Sequence, residues 1–293
     1  MQIPVISVLV LNFNGGKNLL AAVKSIYRSK LTVPFEVIVI DNGSTDKSIE
    51  ALKKAVPRTK IVKLKRNTGT AAFTLVQDQA KGKYIFFTSD DKLLELFCLQ
   101  RLYDVLKNNL KIAQACPLLL DAETKKVDVG GTWITPWFYA GKSTEMPKQP
   151  ITKIPYMGMG LITVDALNNA GHNLYDPSYF FYGEDVDLGL RLKKADFEVV
   201  LVQNAIAHHL GDVSAGIWPR DYLIFLSERN SLRNYFKHSG IFKLILLMPL
   251  VVGMRVAKIL LAFIRGNFKI AVARTRGVIT AYREWILSLF GVS

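Results

Sequence analysis

Short runs of consecutive apolar residues, each closing on polar positions, alternate with helically spaced segments through the first ninety residues. Residues 6–11 are almost wholly aliphatic and end in Asn12, Phe13, Asn14, Gly15 and Gly16, after which Leu19, Leu20, Val23 and Ile26 share one helical face. The unit then recurs. Residues 35–40 form a second run, closed by Asp41-Asn42-Gly43-Ser44-Thr45-Asp46, and Ile49 and Leu52 lie on one face of a short helix. Residues 61–64 predict a third strand, 71–81 a helix, and 84–88 a fourth strand that runs into Asp90 and Asp91. Strands alternating with helices at this spacing predict a parallel sheet wound with right-handed crossovers.

Sheets of this kind take their ligands at the carboxyl ends of the strands, where Asn12, Asp41, Asn67, Asp90 and Asp91 all fall. Two adjacent carboxylates at the edge of a core need a partner, and a divalent cation would satisfy them. As plain helix caps they would need none. The dinucleotide fingerprint Gly-x-Gly-x-x-Gly is absent, and Gly141-Lys142-Ser143 has Pro136 where the first glycine of a P-loop belongs. NAD and P-loop chemistry are disfavoured accordingly.

Residues 93–109 predict an amphipathic helix and 112–120 a strand. From 121 to 154 the pattern becomes irregular, a stretch suited to facing a substrate, and Trp133 and Trp137 within it are candidates for stacking on an acceptor sugar as well as for packing. A strand over 156–164, interrupted by Gly158 and Gly160, leads to the aromatic run 179–182 and then Gly183, Glu184 and Asp185. Asp185 could cap the helix predicted over 186–194. A strand over 197–202 then delivers His208 and His209 to its end, and 222–237 reads as a helix.

Charge and composition narrow the partners. The chain has 293 residues, half of them hydrophobic, and a net charge of +14. Half of that excess lies in residues 241–293, which hold eight Lys or Arg against the single acid Glu284. A basic, apolar tail suits an anionic membrane surface, whereas no aromatic RNA-binding pattern or zinc-finger spacing supports nucleic acid. Cys98 and Cys116 lack the spacing of a zinc site or a disulfide framework. The uncharged run 244–254 is shorter than the roughly 20 residues a spanning helix needs and contains Pro249. A helix lying in the interface is expected there, with a second basic-apolar helix over 271–290, and the same faces could serve a second copy of the chain in a homo-oligomer. The N-terminus shows no basic and apolar regions of a secretory signal, so a cytoplasmic, membrane-peripheral protein is expected.

The order of these motifs carries a resemblance. A strand ending in Asn-Phe-Asn-Gly, a second ending in Asp-Asn-Gly-Ser-Thr-Asp, then Asn67-x-Gly69, Ala80-x-Gly82-x-Tyr84, the acids Asp90 and Asp91, and finally Glu184-Asp185 resemble family 2 glycosyltransferases of the GT-A fold, in their rhamnosyltransferase-like branch. The likeness spans residues 4–235. It implies an α/β fold with a mostly parallel central sheet, a nucleotide-sugar half over 1–115, an acceptor and catalytic half over 116–240, and C-terminal amphipathic helices over 241–293. It implies transfer, with inversion, from a UDP- or dTDP-type sugar to a lipid-linked or cell-envelope glycan, assisted by Mg²⁺ or Mn²⁺.

Carried over position by position, the resemblance makes Asp185 the general base, with Glu184 orienting the site or acceptor. Asn12, Phe13, Asp41, Asn67 and Asp90 face the donor, and Asp91 holds the metal with help from His208 rather than His209. Ser89 stands where the family's first metal-site acid is found, and Leu75 where an Asn often faces the donor. Arg229-Asn230 resembles a pair found in the same branch. A nucleotidyltransferase, and a non-catalytic membrane scaffold with a degenerate donor site, are the rival classes.

Overall fold

Two parallel aliphatic strands, β1 (Ile6–Asn12) and β2 (Phe35–Asp41), set the frame, their register placing Asn12 opposite Asp41 at the carboxyl edge. The computed structural model describes residues 3–211 and 218–291. Helix α1 (Gly16–Arg28) crosses between these strands, burying Leu19, Val23 and Ile26. Helix α2 (Ser48–Ala55) leads to β3 (Lys60–Lys63), and α3 (Ala72–Val76) to β4 (Tyr84–Ser89). Leu11 pairs with Ser89, so the polar ends of β1, β2 and β4 reach one rim.

The second half extends the same sheet. In chain order come β5 (Lys92–Leu94), α4 (Cys98–Lys107), β6 (Ile112–Asp121), β7 (Val127–Val129), β8 (Gly131–Ile134), β9 (Ala140–Ser143), β10 (Ile151–Ile154) and β11 (Gly160–Thr163). Helices α5 (Val164–Asn169) and α6 (Glu184–Lys194) precede β12 (Glu198–His209), and α7 (Arg220–His238), α8 (Ile241–Ile264) and α9 (Phe268–Leu289) close the chain. The sheet order is β10-β12-β6-β11-β4-β1-β2-β3, with β5 and β7 added beside β12 and β6. Strands β3, β2, β1 and β4 are mutually parallel, as are β6 and β12, while β10 and β11 run against their neighbours. Helices cover both faces, which is why Val8, Val10, Ile38, Ile40, Phe86 and Phe87 are all completely buried.

Several expected elements have other bounds. The helix expected over 71–81 is α3 flanked by 3-10 turns at Gly69–Ala71 and Gln77–Gln79. Tertiary bonds compete there: the Thr74 hydroxyl and Gln77 amide donate to the Tyr175 and His172 carbonyls. The strand expected over 156–164 narrows to β11, and the helix expected over 93–109 starts only after β5 pairs with the far end of β12. Strand β12 itself runs past 202 to His209 because β6 and β5 supply partners along its length.

The largest departure is in the tail. Helix α8 is continuous through Pro249 for 24 residues, and by length and composition it could cross a membrane. The uncharged run at 244–254 underestimated it because Arg255 and Lys258 do not break the helix. Arg255 is instead buried, and α8, α7, α9 and Phe138 share a second apolar cluster through Leu232, Tyr235, Leu244, Val251 and Ala281.

Candidate active site

The rim formed by β1, β2 and β4 borders a cavity of about 220 Å³. Phe13, Asn42, Asn67, Thr70, Ser89, Asp90, Asp91, Lys92, Phe180 and Glu184 are among its lining residues. Asn67 accepts from the Asn42 amide at 2.9 Å and from the Gly69 N–H at 2.8 Å, so the two asparagines fix the loop beyond β3. Gly69 is required there. Its φ is +63°, and a Cβ would sit 1.8 Å from the Phe180 carbonyl oxygen, which Thr70 N–H meets at 3.0 Å. This contact ties the loop beyond β3 to the aromatic segment that precedes α6.

Two expected donor residues lie behind this lining. Asn12 is fully buried and donates to the Ser44 and Ser48 hydroxyls at 3.0 and 3.2 Å. Asp41 accepts the Ser44 N–H at 2.9 Å and has Lys63 at 3.8 Å. Both therefore shape the loops at the ends of β1 and β2. Asp90 lies closer to the cavity, against Gly15, whose Cβ would fall 2.2 Å from an Asp90 carboxyl oxygen. Burial and then the neighbouring Asp91 charge push the Asp90 carboxyl up to about 7.

Asp91 behaves oppositely. Burial alone would raise it, but the hydrogen bond from His209 and the ammonium of Lys92 hold it well below the usual carboxylate range. Lys92 Nζ is 2.8 Å from Asp91 Oδ1, and His209 Nε2 is 3.1 Å from Asp91 Oδ2. The other ring nitrogen of His209 meets Asp128 Oδ2 at 2.7 Å, and Asp128 is paired in turn with Lys142 on β9.

His208, expected to join Asp91, does not reach it. Successive side chains on a strand point to opposite faces, and His208 turns its Nε2 to Glu95 at 3.1 Å. The period-2 rule applied to residues 208 and 209 could have separated them, but it needed the strand to continue that far. Asp91 and His209 supply one carboxylate oxygen and one ring nitrogen facing each other. Such a pair fits a hard divalent cation whose remaining ligands come from a diphosphate and water. Among the described residues, no group of three or more His, Cys, Asp or Glu forms a full metal cage.

A second cavity, of about 380 Å³, adjoins the first and shares Ser89, Lys92 and Gly158 with it. Thr132, Gly141, Lys142, Tyr156 and Asp185 also line it. Thus Glu184 faces the first cavity and Asp185 the second. The turn that precedes them has positive φ at Tyr182 and Gly183, and α7 grips it: the Asn230 amide donates to the Phe181 and Tyr182 carbonyls at 3.0 and 2.7 Å, and the Asn234 amide donates to the Gly183 carbonyl at 2.8 Å. Asn230 thus has a positioning contact, while Arg229 pairs with Glu284 on α9.

Both acids are raised above ordinary carboxylates by burial, and Glu184 further by the Asp185 charge. Glu184 Oε2 is buried without a hydrogen-bond partner, and the position corresponding to a Cβ on Gly158 lies 3.5 Å from Asp185 Oδ2. Trp133 and Trp137, the expected acceptor platforms, line neither cavity. The Trp133 indole covers Gly141 across the β8–β9 hairpin, and Trp137 packs against the cluster shared by α7, α8 and α9. Asn42, Thr70, Lys92, Phe180 and Trp218 line the first cavity instead, and His209 contacts Asp91.

The profile of "Glycosyl transferase family 2" matches residues 7–167. The chain belongs to that family. Among relatives of this family 2 member is the poly(ribitol-phosphate) beta-N-acetylglucosaminyltransferase TarP of Staphylococcus aureus, 29% identical over 109 residues, or 36% of this chain and 33% of that protein. An uncharacterized glycosyltransferase of Haemophilus influenzae is 30% identical over 136 residues, covering 43% and 52%. The matches thus span about a third and about half of the length of these curated relatives.

Solved structures place the fold among GT-A glycosyltransferases. GalNAc-T7, determined with UDP, GalNAc and Mn²⁺, superposes with a TM-score of 0.64 at 16% identity, covering 79% of this chain and 47% of that one. Residues 1–349 of Staphylococcus aureus TarS with UDP-GlcNAc give 0.57 at 14% identity, covering 80% and 67%. At these identities the likeness establishes the fold. It extends over the curled, mostly parallel sheet described above.

Proposed function

We propose that this family 2 member is an inverting glycosyltransferase that takes a UDP- or dTDP-type sugar and extends a lipid-linked or cell-envelope glycan. The observation that carries this reading is the meeting of two cavities at Ser89, Lys92 and Gly158, with Asp91 on one side and Asp185 on the other. UDP, named with GalNAc-T7 and TarS, supports a pyrimidine nucleotide. The donor then lies in the first cavity with its base toward Phe13, on the loop that Asp41 helps to shape, and its ribose or diphosphate beside Asn67 and Asp90. Glu184, through its unpartnered oxygen, accepts a hydrogen bond from a hydroxyl of the sugar or of the acceptor.

Asp91 and His209 would hold a divalent cation, Mg²⁺ or Mn²⁺, which when bound neutralises the departing diphosphate. Lys92 adds a fixed positive charge at the same place. From the second cavity an acceptor hydroxyl attacks the anomeric carbon from the face opposite the leaving group. The new carbon–oxygen bond forms as the bond to the diphosphate breaks, the electron pair leaves with the nucleoside diphosphate, and Asp185 takes the hydroxyl proton. Burial suits Asp185 for this, because a base raised toward neutrality is a stronger proton acceptor. A single displacement inverts the anomeric centre.

The C-terminal helices support a peripheral position on the cytoplasmic membrane face. The middle of α8 is fixed to the globular body through Arg255, which donates to Ser231 on α7, so the helix lies along that body with its opposite face apolar. Incubating the purified chain with a set of nucleotide sugars and lipid-linked acceptors, with product mass and anomeric configuration read by NMR, tests the reading. A retained anomer, or release of inorganic diphosphate in place of a nucleoside diphosphate, would refute it.

A further inference from the structure

Arg255 is 2% exposed, yet its guanidinium is only partly satisfied. Nη2 donates to the Ser231 hydroxyl at 3.0 Å, while Nε and Nη1 have no hydrogen-bond partner. The guanidinium carbon sits 4.4 Å from the centre of the Tyr139 ring, and the Lys258 ammonium, one turn along α8, lies 3.4 Å from the same ring. The Tyr139 hydroxyl is likewise buried and unpartnered. Among the described residues neither cation has a carboxylate in ion-pair contact; Glu228, one turn before Ser231 on α7, is paired with Arg274. A buried guanidinium sharing one ring with a partly buried ammonium, with N–H and O–H donors left unused, is costly. An anion rich in acceptor oxygens would offset that cost, and a guanidinium presents its donors in the fork that matches phosphate.

We infer that Arg255, Lys258 and Tyr139 form a binding site for a phosphate or diphosphate group. Its position suggests how such a group is presented. Tyr139 lies at the tip of the β8–β9 hairpin, and the same hairpin supplies Thr132, Gly141 and Lys142 to the cavity that contains Asp185. On the other side, the apolar outer face of α8 exposes Val252, Val256 and Leu260. Tyr139 and Lys258 are partly exposed, so the site opens at their edge. An acceptor carrying a lipid diphosphate can then place its sugar toward Asp185, its phosphates on this cluster and its chain along α8. This assignment of the phosphate's origin rests on the lipid-linked acceptor reading; an anionic lipid headgroup offers the same chemistry.

The test measures binding of farnesyl diphosphate and farnesol to the full chain in neutral detergent, and flotation with phosphatidylcholine vesicles with and without phosphatidylglycerol. Farnesyl diphosphate should bind and farnesol should not, and Arg255→Met and Lys258→Met should each weaken that binding by about tenfold or more. Tyr139→Phe should weaken it less, and UDP binding should be unchanged in all three. A loss seen with farnesyl diphosphate assigns the acceptor, and a loss confined to phosphatidylglycerol vesicles assigns the headgroup; both support the site. Wild-type binding of both probes by Lys258→Met and Tyr139→Phe, the two variants at the open edge, would overturn it even if Arg255→Met fails to fold. Intact diphosphate binding without sugar transfer to any lipid-linked acceptor would remove the acceptor reading and leave the site standing.

Discussion

His209 Nε2 lies 3.1 Å from Asp91 Oδ2, with the opposite nitrogen of the ring held by Asp128 at 2.7 Å. A carboxylate on the far nitrogen fixes both the tautomer and the direction of the ring, the arrangement commonly found behind metal-binding histidines. If the pair holds the cation, Mn²⁺-dependent UDP binding should be lost in His209→Ala and weakened about 10- to 100-fold in Asp128→Asn. His208→Ala, whose ring serves Glu95, should bind as the wild type does. Calorimetric titration of UDP with and without Mn²⁺ distinguishes them, and the reverse ranking of the two histidines would return the metal role to His208.

Asp185 should be separable from donor binding because it faces the second cavity and not the first. Asp185→Asn is expected to lower kcat by about 10²- to 10⁴-fold while leaving UDP affinity close to that of the wild type. If Asp185 is the base it acts in its charged form, so the acid limb of the pH profile should lie above the ordinary aspartate range, in the direction burial moves this carboxyl. A fully active Asp185→Asn protein would dismiss it as the base.

The same burial gives a stability signature. The folded carboxyl of Asp185 is raised, so between its unfolded and folded values the folded state holds more protons and stability falls as pH rises. Above both values the full penalty applies, and an uncharged amide removes it. Asp185→Asn should therefore melt higher than the wild type at pH 8, and the gap should close once the pH is below both values. Melting curves across pH read this directly; a variant less stable than wild type at pH 8 would contradict it.

What was legible in the sequence was local. Aliphatic runs closing on Asn12, Asp41 and Asp91 fixed the strand ends because a strand buried on both faces has few ways to place polar residues. The remainder depended on contacts between distant segments. Thr70 meets Phe180, and Asn230 holds the turn at Tyr182, across separations that no periodicity encodes. That His209 and not His208 faces Asp91 turned on one residue of register. Trp133 and Trp137 looked like sugar platforms because large aromatic rings in an irregular stretch carry no signal of what they cover.

Gly158 offers a test of the cavity boundary. A Cβ there would stand at 3.5 Å from Asp185 Oδ2, an ordinary contact, so alanine fits the backbone yet occupies space where the two cavities meet. Gly158→Ala should raise the acceptor KM several-fold with little change in melting temperature. Gly69→Ala makes a contrast: its positive φ and the Phe180 carbonyl at 1.8 Å leave no room, so thermal stability and UDP binding should fall together. Steady-state kinetics beside melting curves separates the two cases, and equal effects in both variants would deny Gly158 its place at the boundary.

The tail can be tested without disturbing the residues that line the two cavities. Phe242 and Leu246, one turn apart on α8, are 87% and 78% exposed, whereas Leu244 and Val251 on the inner side pack against the body. Exposed aromatic and aliphatic side chains flanked by Lys243, Arg265 and Lys269 suit partition into an anionic interface, where apolar area and basic charge add. Phe242→Asp with Leu246→Asp should abolish flotation with phosphatidylglycerol vesicles while UDP binding and melting temperature stay near wild type. If these faces instead join two copies of the chain, flotation should persist and sedimentation should show the dimer converted to monomer. That outcome would transfer the apolar face from the membrane to a subunit interface, because the same substitutions cannot leave vesicle binding intact if the face is what enters the bilayer surface.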